Sequence, residues 1–157
     1  MVDVEGTWGV ALLPVAEVLS LEETIEILSD PGILARVRTG ANALQTGNYV
    51  FEEEFLADLG YPPASWTEGR WRLIVGGPAR RAVTSISADS TKRAVLALLT
   101  GSIAGNPEQT GVELTGELAR TRVAWVADQR VLFRVDTIQH AVRVIDVHAA
   151  QRFFFGG

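Results

Sequence analysis

Two histidines, His140 and His148, and a gathering of arginines in the C-terminal half are the side chains with which this chain of 157 residues could do chemistry. An unperturbed imidazole titrates near pH ~6.5, so His148 could move a proton as a general acid or base. The plainer reading makes it a polar residue closing a strand. Glu113 could act as a base, but no partner stands at a recognisable spacing. Gly76-Gly77-Pro78 ahead of a helical stretch has the outline of a phosphate cradle, yet it has neither Walker nor dinucleotide spacing, so a strand-to-helix turn is the better description. The Phe153-Phe154-Phe155 run could stack on bases, and Trp8, Trp66, Trp71 and Trp125 carry no cofactor pattern. Both sets read first as packing. With no cysteine and two histidines, neither a metal site nor a cofactor is expected.

The charge that surrounds these residues is divided along the chain. Residues 1–69 carry two arginines, Arg36 and Arg38, against twelve acids, whereas residues 70–157 carry twelve bases against seven acids. The net charge of −5 conceals an acidic first part and a basic second part. Such a division suits a nucleic-acid-facing module, an acidic partner for it, or both in one chain. The hydrophobic fraction of 47% with 21% charged residues is that of a folded protein, and no run reaches the ~20 apolar residues of a membrane span. No membrane partner is expected. The start, Met1-Val2-Asp3-Val4-Glu5, lacks the basic and apolar pattern of a secretory signal, which points to a cytoplasmic protein.

The elements that must position these charges can be read from periodicity and punctuation. Gly9 to Leu13 reads as a short strand, and Ser20 with Glu23 three residues on has the capping-box pairing of a helix start. Leu21, Ile25 and Leu28 then fall on one helical face. Asp30-Pro31 restarts the helix, whose stripe includes Ile33, Val37 and Leu44 before Gly47-Asn48 stops it. Tyr49-Val50 is briefly extended, and Glu52 to Leu59 forms a short helix closed by Gly60, with Phe55 and Leu59 on its apolar side. This segment cannot surround a core of its own. Tyr61 to Gly69, with Pro62 and Pro63, is the natural break. Beyond it, Arg70 to Val75 alternates as a strand, Pro78 to Ile86 and Asp89 to Ile103 are helical, and Thr121–Val126, Gln129–Val135 and Ala141–Val147 form an antiparallel meander. The fold class expected is α+β: a helical arm, residues 1–66, wrapped on a β-α-α-β-β-β domain, residues 67–157, with a small antiparallel-type sheet.

That order, with Leu114-Thr115-Gly116-Glu117-Leu118 before the meander and Asp128 to Asp136 inside it, resembles the RelE/ParE toxin superfamily over nearly all of residues 70–157. Ser20 to Pro31 is similar to the toxin-binding half of Phd/YefM and RelB-type antitoxins, and Glu52 to Gly60 to the end of one. The resemblance implies an antitoxin–toxin fusion in one chain. Its partners would be its own arm, in cis or in a swapped dimer, and the ribosome or mRNA if the domain is active. A complete DNA-binding region would precede the helices in those antitoxins, so operator binding is not expected.

By the same resemblance, a RelE-like toxin holds phosphates with basic residues and moves protons with a C-terminal tyrosine or histidine. Arg130 matches the arginine of the family's central strand, and His148 stands near the proton-transfer position. Thr115, Val123, Trp125 and Ala150 stand where basic groups are usual, and Phe153 or Phe154 where the tyrosine is, which implies a degenerate site. The alternatives are a latent mRNA endoribonuclease covered by its arm and a gyrase-directed or nucleic-acid-binding module. On the leading reading, Leu21, Ile25, Leu28, Ile33, Val37, Leu44, Phe55 and Leu59 anchor the arm to the domain, and acidic residues of the arm lie over Arg130 or its basic neighbours.

Overall fold

The computed structural model describes residues 15–150. The strand expected at 9–13, Trp8 and the Phe153–Phe155 run lie outside the described residues. Two long helices come first, α1 (Val15–Ser29) and α2 (Pro31–Gln45), followed by β1 (Tyr49–Phe51) and α3 (Glu52–Asp58). After the proline-containing connection come β2 (Arg72–Gly76), α4 (Gly77–Thr84), α5 (Asp89–Ala97) with a π-helical continuation through Ile103, β3 (Val112–Glu113), β4 (Thr121–Val126), β5 (Gln129–Asp136) and β6 (Ala141–Ala149). The six strands form one sheet in the order β1-β2-β6-β5-β4-β3. The class is α+β.

Local chemistry accounts for the helix that matters most to the site. Asp30 caps α2, its Oδ1 accepting from the backbone N–H of Gly32 at 2.9 Å and of Ile33 at 3.2 Å, and Pro31 occupies the first turn where no N–H is needed. Gly47, at φ +87°, turns the chain out of α2 in the left-handed conformation that a side chain resists. The helix start expected at Ser20 is displaced: α1 begins at Val15, and the Ser20 hydroxyl donates to the backbone carbonyl of Glu113 instead of capping.

The sheet departs from a purely antiparallel plan in one joint. β2 lies parallel to β6, pairing Arg72 with Ala141 and Val75 with Val144, while the other neighbours are antiparallel. A parallel neighbour cannot be reached by a hairpin, and α4 and α5 belong to the long excursion between those strands. β1 adds itself to the outer edge of β2 through Tyr49–Gly76 and Phe51–Ile74. Both faces of the sheet are covered. On one, α3, α4 and α5 close over Leu73, Val75, Val131, Phe133, Val142 and Val144; on the other, Ile27 of α1 and Val37 and Leu44 of α2 close over Ile74, Val123, Leu132 and Ile145.

The expected anchors divide between these layers. Val37 and Leu44 are buried in the second core and Phe55 in the first, while Ile33, Leu28 and Leu59 are partly buried against them. Leu21 and Ile25 do not anchor α1: they are 44% and 62% exposed. The face of α1 that meets the sheet is Ser20, Glu23, Thr24 and Ile27, because the strand residues beneath it offer polar partners.

Gly40 of α2 sets the spacing of the second layer. A Cβ there would overlap the carbonyl oxygen of Ile145, so the helix rests directly on the β6 backbone. Gly40→Ala is therefore expected to destabilise the fold by about 1–3 kcal/mol through forced separation of α2 from the sheet. Chemical denaturation monitored by Trp fluorescence checks it; an unchanged midpoint would show that α2 can ride outward freely.

Candidate functional site

The site is built where β5 and β6 run side by side beneath α1 and α2. Arg130 pairs with His148 across these two strands, and Leu132 with Asp146. A register shift follows at Leu132/Phe133, where β6 places Ile145 and Asp146 against one residue of β5. That extra residue decides the chemistry of the face. Val142 and Val144 point into the α4–α5 core, so unbroken alternation would send positions 146 and 148 the same way; after the bulge it is Val147 that points there. Asp146 and His148 are thereby turned towards α1 and α2.

Arg130 is fully buried, at 0% exposure. Its Nε lies 3.1 Å from Glu23 Oε1 and its Nη2 2.9 Å from Glu26 Oε2, two carboxylates one turn apart on α1. Its Nη1 donates to His148 Nε2 at 3.0 Å. A guanidinium can only donate, so Nε2 is the accepting nitrogen and the ring proton sits on Nδ1, which donates to Asp146 Oδ2 at 2.8 Å. Asp146 in turn receives a two-pronged contact from Arg36 of α2, with Nε at 2.9 Å and Nη2 at 2.8 Å, and the same Nη2 reaches the Val147 carbonyl at 3.1 Å. One continuous chain of contacts therefore runs from α1 through β5 and β6 to α2.

Burial alone would raise the carboxyl of Asp146, but the hydrogen bonds from His148 and Arg36 and the positive charge of Arg36 together outweigh it and hold the group below its ordinary value. Asp146 therefore remains ionised and orients the imidazole. Such an oriented imidazole beside a guanidinium is equipped to exchange a proton next to a bound anion. With α1 in place, however, the anions beside Arg130 are Glu23 and Glu26. The rest of this face is apolar or otherwise engaged: Val123 is buried in the second core, Trp125 packs at its margin, and the Thr115 backbone N–H donates to Thr24 Oγ1 at 3.0 Å.

The network also forms one wall of an open cleft of about 780 Å³ between α2 and α4, lined by Arg36, Thr39, Arg81, Ser85, Asp146 and His148. Elsewhere, Glu113 pairs with Arg122 at 3.8 Å and takes no part in the network, and Gly77 lies against the Asn48 side chain and donates its N–H to the Asn48 carbonyl at 2.9 Å. Among the described residues no group of three or more metal-binding side chains forms, and no helix is long and apolar enough to cross a membrane.

Of the sequence-predicted residues, the structure brings Arg130 and His148 together. Sequence reasoning placed unnamed arm carboxylates over Arg130, read Glu23 only as a capping residue, and gave Glu26, Arg36 and Asp146 no site role. The signals were present in part: Asp146 and His148 stand two apart on a strand, hence on one face, and Glu23 and Glu26 stand three apart on a helix. Nothing in the sequence marks the partner of Arg36.

No protein-family model matches the chain. No curated protein matches it. Among solved structures, a chain of the toxin–antitoxin complex RelBE2 from Mycobacterium tuberculosis is similar over 54% of this chain and 97% of that one, with 24% sequence identity and a TM-score of 0.49.

Asp146 yields a pH prediction whose sign is fixed by its lowered value. A carboxyl depressed in the folded state adds stability that is complete above the unfolded value of ~3.9 and is lost as pH falls through the folded one. Asp146→Asn is expected to cost about 1–3 kcal/mol at neutral pH, the loss expected when buried hydrogen-bonding groups lose their partner. The gap to the unsubstituted protein should narrow as pH drops below ~4. Urea unfolding across acid pH measures both, and a gap independent of pH would remove Asp146 from this role.

Proposed function

We propose that residues 1–66 are an antitoxin-like arm and residues 67–157 a RelE/ParE-like domain derived from a toxin, fused so that the arm keeps the domain neutral. The observation that carries this reading is the occupation of Arg130: two carboxylates of the acidic segment sit on the guanidinium that the family resemblance assigns to phosphate, and they exclude water from it. A buried cation without such partners would be costly, so the carboxylates are needed wherever the arm covers this face. They also stand where the negative charge of a nucleic acid would stand, and a phosphate and α1 exclude one another.

The domain is degenerate on this reading. Rate enhancement at a developing phosphorane depends on several preorganised positive groups, each typically worth a factor of ~100–1000. Thr115, Val123 and Trp125 supply none, and all three are held by packing or by Thr24. The second reading, a latent ribosome-dependent mRNA endoribonuclease, is favoured by one arrangement: Asp146 orients His148 with Nε2 turned towards Arg130, a proton acceptor beside a phosphate-binding group. A gyrase-directed or nucleic-acid-binding module has no comparable feature in its favour.

Glu23→Gln combined with Glu26→Gln in the intact chain separates these readings. Loss of the partners of a buried charge typically costs about 3–5 kcal/mol, so α1 and α2 are expected to become more than tenfold more sensitive to limited proteolysis. No growth arrest is expected when this variant is produced in a bacterial host. Arrest with messenger cleavage, both abolished by adding Arg130→Ala, would establish the latent enzyme. Unchanged proteolysis would take the neutralising role away from the carboxylates.

A further inference from the structure

α1 is built inside out. Its inner face is Ser20, Glu23 and Thr24 around the buried Ile27, whereas Val15, Val18, Leu21 and Ile25 lie outward at 74%, 37%, 44% and 62% exposure. Val18, Leu21, Ile25 and half-buried Leu28 follow one another at spacings of three, four and three residues. That is the seam of two heptads, the pattern by which one helix packs along another. Single exposed apolar residues are ordinary on a protein surface, but a contiguous aliphatic row on one helix is not.

The rim of the seam selects what can lie on it. Glu17 and Glu22 flank the row at the positions that face a partner's rim residues, and the helix, with Glu23 and Glu26 in addition, contains no lysine or arginine. A second copy packed in parallel would set Glu17 against Glu22 of its partner, and no orientation of a second copy's α1 would supply a cation. Like charges at rim positions oppose pairing and opposite charges promote it. Glu23 and Glu26 are already directed to Arg130, so the outward field comes from Glu17 and Glu22.

We propose that the outward row of α1 is the docking site of an amphipathic helix with a basic rim, contributed by another protein. The docked helix lays its aliphatic face between Leu21 and Ile25 and its lysines or arginines beside Glu17 and Glu22. Since α1 also holds Arg130 through its opposite face, the partner binds the covered form of the protein and reinforces it.

The intact protein is titrated with two labelled helical peptides, each three heptads long with the same aliphatic seam, one with lysine and one with glutamate at the rim, and binding is read by fluorescence anisotropy. The lysine-rimmed helix is expected to bind at least about tenfold more tightly. Leu21→Ser with Ile25→Ser should weaken that binding by about tenfold or more while leaving the thermal midpoint in place, since both side chains are outward. Glu17→Lys with Glu22→Lys should transfer the preference to the glutamate-rimmed helix. Equal binding of the two peptides, or a preference that ignores the charge swap, overturns the proposal. A dimer in solution that Leu21→Ser and Ile25→Ser disperse assigns the row to a second copy and overturns it too. Binding that appears only after deletion of residues 1–14 assigns it to the chain's own start, with the same consequence.

Discussion

The removal of one guanidinium from water organises this molecule. Arg130 sits in the middle of the sheet with no exposed surface, and a cation there is tolerable only if its donors meet acceptors with negative charge. Two carboxylates come from a helix that precedes it by about a hundred residues, and beside them a histidine, whose own orientation is fixed by Asp146, accepts its hydrogen bond. Each demand passes outward to the next group, until Arg36 at the surface of α2 closes the series. Arrangements of this kind contribute little net stability after desolvation, but a helix docked by them tolerates few other positions. The polar inner face of α1 follows from the same cause, since Glu23 can reach Arg130 only if that face is turned inward.

The sheet prepares this arrangement before any helix covers it. Were the same residues of β6 to alternate unbroken, Asp146 and His148 would face the aliphatic core beneath α4 and α5. The irregularity therefore does for the second face what a substitution in the first could not: it moves two polar groups through the sheet without changing the residues on either side. Gly40 belongs to the same local solution. The bulged backbone comes close to α2, and the helix meets it with the one residue that has no side chain.

Much of the fold was legible. Alternation in Arg70 to Val75 and in the three late runs, the Asp30-Pro31 restart and the stop at Gly47 are local signals, and local signals survive folding. The parallel joint of β2 with β6 was not legible, because nothing in a strand's own sequence states which neighbour it will take. The face of α1 was misread for a different reason. Helical spacing identifies an apolar row, but it does not say whether that row meets this chain's sheet or something else, and Leu21 and Ile25 had no way to announce that Glu23 would displace them. For the site, the opposition of acidic and basic halves pointed to Arg130 lying under carboxylates, whereas Arg36 with Asp146 joins positions 110 apart and left no trace in either neighbourhood.

The acidic segment is fastened to the rest of the molecule unevenly. α3 is welded in place: Glu52 and Arg70 form a two-pronged pair, with Arg70 Nη1 at 2.9 Å, both side chains buried, and Phe55 lies wholly in the first core. β1 is hydrogen-bonded along β2 and shields an edge that would otherwise template aggregation. α1 and α2 are fastened differently, through the carboxylates on Arg130 and the two-pronged Arg36–Asp146 pair, over a smaller aliphatic core. The chain between these helices and the rest is short, residues 46–48 between α2 and β1. Docking of the helices is then a unimolecular event, governed by a local concentration of order millimolar for a short tether and indifferent to how much protein the cell contains. A helix pair tethered in this way finds its face without a search, whereas one on a separate chain must find it by diffusion.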